Sequence, residues 1–334
     1  MTGAMNALID STASRWLSGA MEGKPAGVFT STAARQVGLA DQRRYSEHRS
    51  ARMTVQPRPS MGAWLLYGFG TEIKPPMNSL LNRHFSLAGR TAWISGGSKG
   101  LGLQMARALA GVGAQVVLSS RHEGEACKAA DNIATEHGVR TLGGKADVTR
   151  EDEVADFVGR VGAELGPIDI LVTSAGINIR KPTTEMPLAD WQQVLDINLT
   201  GPFICSKAVL PAMMQRGWGR VIHVSSILGL VGLAERPPYT ASKGGVILLT
   251  KTQALETAAS GVTVNALCPG PFATEMNLPL LNDPEKYRQF VARIPMGRWG
   301  ELHEIEGAVI FLASPSASYV TGTTLTLDGG WTAQ

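Results

Sequence analysis

In YTASKGG, residues 239–245, Tyr239 stands four residues ahead of Lys243, where a helical pattern begins. If 241–257 is helical, positions four apart share a face with Cβ atoms about 5–6 Å from each other, so the ammonium sits beside the phenol. A nearby cation favours phenolate and lowers a pKa that otherwise lies near ~10. Such a phenol can exchange a proton with a reacting oxygen. A surface Tyr/Lys pair has the same spacing, so partners elsewhere in the chain must decide between the two readings.

A second candidate is SGGSKGLG, residues 95–102, which follows an apolar run and leads directly into a helical pattern. Gly96, Gly100 and Gly102 form G-x-x-x-G-x-G rather than G-x-G-x-x-G. Glycines let the backbone turn tightly and approach a pyrophosphate, whose charge meets the N–H groups at a helix start. A Gly-rich turn without a ligand is the structural alternative. The next apolar run ends in SSRH, where the adenosine ribose of a dinucleotide would lie. A carboxylate there would bind the ribose hydroxyls of NAD, but this chain has Ser120 and Arg121, and Lys99 in the glycine loop adds a second cation. Both cations suit a 2′-phosphate. NADP(H) is therefore favoured, with NAD(H) possible; the alternative is that Arg121 faces solvent.

Positioning these groups requires alternating elements. Strands are expected at 91–95, 115–120, within 139–147, and at 168–174, 220–226, 262–269 and 324–329. Helices are expected near 101–112, 123–137, 151–165, 188–215, 241–259, 284–292 and 302–313. The strands read apolar without strict alternation, as strands covered on both faces do. The expected fold is α/β: a Rossmann-type doubly wound parallel β-sheet with helices on both faces, forming one domain over 85–334. Ligands in such sheets bind beyond the carboxyl ends of the strands. Residues 1–84 carry prolines and no sustained period, and are read as an N-terminal extension of low order or a fusion fragment.

The chain has 334 residues, 44% of them hydrophobic and 18% charged, an ordinary globular balance. Its net charge of +3 is uneven: residues 1–84 hold 10 of the 31 Lys and Arg but 5 of the 28 Asp and Glu. The remainder is near neutral, which argues against a nucleic-acid partner. Cys127, Cys205 and Cys268 are far apart and lack metal-ligand spacing, so no metal and no disulfide framework is expected. No apolar run is long enough to span a bilayer and no secretory signal opens the sequence. A cytoplasmic location follows, with mitochondrial targeting by the basic, hydroxyl-rich 42–58 as the alternative.

In this order and spacing, SGGSKGLG (95–102), AD (146–147), SAG (174–176), the Asn of DINLTG (198), SS (225–226), Y-x-x-x-K (239–243) and PGPFAT (269–274) resemble the short-chain dehydrogenase/reductases over about 85–334. The resemblance implies that Tyr239 is the acid/base, that Lys243 lowers its pKa and holds the nicotinamide ribose, and that Ser226 hydrogen-bonds the reacting oxygen. Ser226 is preferred to Ser225 for its thirteen-residue interval to Tyr239. Asn198 would anchor a water linked to Lys243. The cofactor would meet Gly96, Ser98, Lys99, Gly100, Leu101 and Gly102 in the first turn, Ser120 and Arg121 after it, then Val148 and Asp147, of which Asp147 would touch the adenine. Ser174, Ala175, Pro269 and Gly270 would also bind the cofactor, with Gly176 packing near the ribose and Thr274 meeting the carboxamide. The family usually has Asn-Asn-Ala-Gly where this chain has Thr173-Ser174-Ala175-Gly176. Members commonly form dimers or tetramers through their long helices.

The implied activity is NADP(H)-dependent interconversion of a secondary alcohol and a ketone. GINIRKP (176–182) and PMGRWGELHEI (295–305) resemble gluconate 5-dehydrogenase-like and 3-oxoacyl-[acyl-carrier-protein] reductase-like members. A sugar acid such as gluconate and a 3-oxoacyl thioester are thus the two substrate classes. Arg180 and Lys181 would stand at the pocket mouth, or be solvated loop cations. A nucleotide-sensing protein without turnover is a further class, against which Tyr239 and Lys243 stand. His223, in an apolar strand, is read as a core histidine. Residues 9–33 resemble an internal stretch of flavodoxin-like NAD(P)H:quinone oxidoreductases but lack their phosphate loop, so no flavin is inferred.

Overall fold

The computed structural model describes residues 79–334. The fragment 9–33, the basic stretch 42–58 and the rest of the expected extension up to residue 78 lie outside the described residues. Helix α1 spans Ser79–Phe85, so regular structure begins before residue 85. Ser316 Oγ donates to His84 O at 3.0 Å and ties the end of α1 down.

From Thr91 the chain alternates. β1 (Thr91–Ser95) leads through α2 (Gly100–Gly111) to β2 (Gln115–Ser120), and α3 (Glu123–His137) leads to β3 (Thr141–Lys145). α4 (Glu151–Glu164) then crosses to β4 (Ile170–Thr173). α5 (Leu188–Leu195), a π-helical turn at Asp196–Thr200 and α6 (Gly201–Arg216) precede β5 (Gly219–Val224). α7 (Pro237–Thr257) connects to β6 (Val262–Pro269). Two short helices, α8 (Leu278–Leu281) and α9 (Pro284–Val291), come before α10 (Glu306–Ala313) and β7 (Thr324–Leu327).

The seven strands form one sheet in the order β3-β2-β1-β4-β5-β6-β7, and every neighbouring pair is parallel. On one face Ile94, Leu118 and Val172 pack with Met105 and Leu109 of α2, Ile133 of α3 and Leu312 of α10. On the other, Trp93, Val117 and Leu171 pack with Phe157 of α4 and Met213 of α6. Burial on both faces explains the unbroken apolar runs. The buried Trp93 Nε1–H donates to Ser119 Oγ at 2.9 Å, which lets a large indole serve as core.

Three expected elements differ in form, and of the helix expected near 302–313 the first turn, Leu302–Ile305, is a 3-10 helix. The single helix expected over 188–215 is divided by the π-helical turn, where Pro202 has no N–H to offer Asn198 and the backbone bonding widens. The helix expected from 241 begins at Pro237, because proline suits the first helical positions, whose N–H groups have no acceptor. Among the described residues no helix is long and apolar enough to cross a membrane.

Candidate active site at the carboxyl edge of the sheet

Strand order reverses between β1 and β4, and the carboxyl ends of the strands open there onto a cleft of about 560 Å³. That size suits a small-molecule site. SGGSKGLG forms its floor. Gly96 leaves β1 with φ +67°, and a Cβ there would stand 2.6 Å from the backbone of Ala175. At Gly102 a Cβ would run into the carbonyl oxygen of Gly96. Ser98 and Lys99 line the cleft, as do Gly100, Leu101 and Gly102, the first residues of α2. The N–H groups that begin α2 have no intrahelical acceptor and so border the cleft. Ser174, Ala175 and Gly176 after β4, with Pro269, Gly270 and Thr274 after β6, line it too.

β2 and β3 supply the flank where Ser120, Arg121, Asp147 and Val148 lie. Ser120 Oγ is closed into a local turn, accepting from His122 N at 2.9 Å and donating to His122 O at 3.0 Å. Asp147 Oδ1 accepts from Thr149 N at 2.9 Å and Oγ1 at 2.8 Å, which fixes the chain after β3. Arg121 is exposed. Lys99 stands between two carboxylates, Glu125 at 4.0 Å and Glu275 at 3.9 Å. Glu125, in the first turn of α3, lines the same cleft and is an acid the sequence reading did not place there. Exposed pairs of this kind are weak, so Lys99 can exchange these partners for another anion.

Tyr239 and Lys243 share one face of α7, as their spacing predicts. The residue leading into that helix, Glu235, takes φ +63°, uncommon outside glycine, and its carbonyl accepts from Lys181 N at 3.0 Å. Loss of solvent raises the Tyr239 pKa, while a hydrogen bond with Ser226 and the charges of Arg236 and Arg180 pull it down. Lys243 Nζ donates to Val224 O at 2.8 Å and lies 5.7 Å from the phenol ring centroid, and burial lowers its own pKa to about 8.

The two serines after β5 have different partners. Ser225 Oγ donates to Lys243 O at 2.8 Å, whereas Ser226 Oγ accepts from Leu228 N at 3.1 Å and meets Tyr239. Asn198 lies behind the cleft wall, fully buried in the π-helical turn. Its Nδ2 donates to Ile177 O at 2.9 Å and to Ser242 Oγ at 3.2 Å, and its Oδ1 accepts from Ile177 N at 2.8 Å. It thereby clamps the segment after β4 to α7. Thr173 Oγ1 lies 2.8 Å from His223 Nδ1, and His223 Nε2 lies 2.9 Å from Gln253 Oε1. An amide oxygen only accepts, so the ring proton is on Nε2 and Thr173 donates to Nδ1. Burial drops the His223 pKa to about 4. It is a core histidine with both nitrogens met.

A smaller cavity shares Ser226, Tyr239 and Gly270 with the cleft and is also lined by Asn178, Arg180, Arg236 and Trp299. Leu228, Leu233, Leu280, Phe290 and Trp331 form its apolar side. Arg180 Nη2 donates to Asn277 Oδ1 at 3.4 Å and Arg236 Nη1 to Ala234 O at 2.9 Å. Burial lowers the pKa of both guanidiniums. Lys181 instead pairs with Asp190 at 2.8 Å, so the two loop cations part company. Arg236, Asn178 and Trp299 escaped the sequence reading. Arg236 sits one helical turn before Tyr239, a signal available in the spacing, whereas Trp299 reaches the cavity from a distant segment and carries no local signal.

The chain matches the family model described as enoyl-(acyl carrier protein) reductase over residues 96–332. It is 39% identical over 248 residues to gluconate 5-dehydrogenase of Gluconobacter oxydans, covering 74% of this chain and 96% of that protein. It is likewise 39% identical over 246 residues to a 3-oxoacyl-[acyl-carrier-protein] reductase of Synechocystis sp., covering 73% of this chain and 98% of that protein. A crystal structure of a gluconate 5-dehydrogenase from Burkholderia cenocepacia in complex with NADP and tartrate superimposes with a TM-score of 0.74 at 38% identity, covering 76% of this chain and 99% of that one.

Proposed function

The chain belongs to the short-chain dehydrogenase/reductases, oxidoreductases acting on CH–OH groups, and from that premise we propose that it interconverts a secondary alcohol and a ketone of a sugar acid such as gluconate with NADP(H). The observation that carries the reading is the Ser226–Tyr239 pair, set between a nucleotide-sized cleft and a cavity bearing two guanidiniums.

The residues present fit a dinucleotide. Gly96 and Gly102 leave a cradle that a Cβ would fill, and the start of α2 borders it. Ser98, Leu101 and Gly100 would face the pyrophosphate, Asp147 and Val148 the adenine, and Ser174, Ala175 and Gly176 the ribose. Pro269, Gly270 and Thr274 would border the nicotinamide. Arg121 and Lys99 would hold a 2′-phosphate, with Glu275 and Glu125 released from Lys99 on binding. Ser120 brings no charge that would repel it, so NADP(H) is preferred to NAD(H).

When bound, the cofactor supplies or accepts the hydride. In reduction Tyr239 gives its phenolic proton to the carbonyl oxygen as the carbon gains hydride; in oxidation it takes the hydroxyl proton. Ser226 Oγ hydrogen-bonds the same oxygen and orients it. Lys243 would hold the nicotinamide ribose, and Asn198 keeps the wall at Ile177 and Ser242 in place and would anchor a water beyond Lys243. Arg236 and Arg180 favour the phenolate form and meet the substrate carboxylate. The apolar side of the cavity supports a second reading, reduction of a 3-oxoacyl thioester. Phe203 on α6, and Leu248 and Leu255 on α7, are exposed at 46%, 64% and 84%, which supports a homodimer or homotetramer through these helices.

Initial rates with NADPH decide between the substrates. The kcat/KM for 5-ketogluconate is expected to exceed that for an acetoacetyl thioester by about tenfold or more, because only the acid gives the guanidiniums a carboxylate. The reverse order would transfer the proposal to the thioester.

A further inference from the structure

At the end of β5 three consecutive residues address α7, and two of them hold the same residue of it. Val224 O accepts from Lys243 Nζ at 2.8 Å and Ser225 Oγ donates to Lys243 O at 2.8 Å, so the lysine is held at its side chain and at its backbone. Ser226 meets Tyr239, one turn earlier on the helix. The Lys243 carbonyl lies inside α7, and its second lone pair takes the serine proton. Ser225 is itself anchored on the sheet, where its N–H donates to Leu267 O of β6 at 2.8 Å. The turn that follows closes on the same peptide: a Cβ at Gly229 would stand 2.7 Å from both C and O of Lys243. Ser225 and Lys243 are buried, so water does not compete for these bonds.

Of the two serines after β5 only Ser226 meets the phenol, and the hydroxyl of the first is directed to the helix backbone. Tyr239 and Lys243 both project from α7, so a shift of that helix along or around its axis moves the phenol and the ammonium together. We propose that Ser225 is a positioning residue: by pinning the Lys243 backbone to the end of β5 it sets where the ammonium meets the nicotinamide ribose and where the phenol stands against Ser226. The inference rests on the reading above that Lys243 holds that ribose. A misplacement of about 1 Å at reacting groups costs up to about a hundredfold in rate, so a hydrogen bond that never touches substrate can govern turnover.

Ser225→Ala removes the bond and Gly229→Ala presses a methyl group onto the same peptide, so the two variants disturb one contact in opposite ways. Binding of NADPH and of 2′,5′-ADP to each full-length protein is measured by calorimetry. The second ligand keeps the adenosine and its 2′-phosphate but has no nicotinamide ribose. In Ser225→Ala the affinity for NADPH is expected to fall about threefold to tenfold, the worth of one hydrogen bond, while 2′,5′-ADP binds within about twofold of the parent. The kcat for reduction of 5-ketogluconate should fall by about tenfold or more. Gly229→Ala should show the same split between the two ligands, and it carries the test should Ser225→Ala melt early. NADPH affinity unmoved in both variants would overturn the proposal. Equal losses for both ligands would overturn it too, because the whole cleft would then be disturbed rather than one end of it. A parent that binds NADPH no tighter than 2′,5′-ADP refutes the ribose contact of Lys243, and the inference with it. The expected split without turnover of 5-ketogluconate refutes the proposed substrate alone, and turnover of 5-ketogluconate without the split refutes this inference alone.

Discussion

At Lys243 burial works against the charge the site needs. The ammonium is nearly fully enclosed, and its pKa falls from 10.5 to about 8. Between pH 8 and 10 the unfolded chain keeps a proton that the folded chain has lost, so this group's contribution to stability rises with pH across that window. Below 8 both states are protonated and the penalty of burying the charge is complete. Lys243→Met removes the charge while keeping an unbranched side chain. Its melting temperature is expected to exceed that of the parent most at pH 7, and the gap should narrow steadily to pH 10; a gap that stays constant would contradict the assignment. The Tyr239/Lys243 spacing was legible because it is local. The polarity around the phenol was legible only in part: Arg236 stands three residues before Tyr239, whereas Arg180 and Ser226 come from the segments after β4 and β5 and only the fold brings them to it.

At the scale of elements, the strands were legible because parallel strands buried on both faces read as unbroken apolar runs, and TAWIS and QVVLSS are β1 and β2 to the residue. Two helical features were not. The π-helical turn at Asp196–Thr200 depends on Pro202, whose effect on the preceding turn is invisible to a 3.6-residue period, yet that turn carries Asn198. The start of α7 at Pro237 was missed because the helical pattern was read only from 241, although proline suits the first helical positions. The turn from β2 into α3 carries the cofactor choice. Arg121 and Lys99 favour a 2′-phosphate, but Glu125 adds a carboxylate that ribose hydroxyls can use, so the preference for NADPH should be about one to two powers of ten in kcat/KM. Ser120→Asp with Arg121→Ala adds a ribose acceptor and removes a phosphate cation together, and is expected to reverse the order. Measured with both cofactors at two salt concentrations, equal use of NADH and NADPH by the parent would show that these cations face water.

At the scale of the whole chain, the described residues at the cleft and the cavity include every group assigned a part in proton or hydride transfer. Because His84 O holds Ser316 Oγ, the useful boundary for a shortened protein lies before Ser79 rather than at Phe85. Deletion of residues 1–78 is expected to leave turnover with NADPH within about threefold of the full chain, since no group assigned a part in proton or hydride transfer is lost. A folded but inactive product would show that the deleted residues complete the site. The central claim is that Tyr239 moves the proton while the cleft holds the nucleotide, and Tyr239→Phe tests it most directly because it removes one oxygen and leaves the ring. Turnover of the variant is to be measured beside its affinity for NADPH. The account predicts a fall in kcat of about two to four powers of ten with NADPH affinity within about threefold of the parent; retention of more than about a third of the parent's turnover would contradict it.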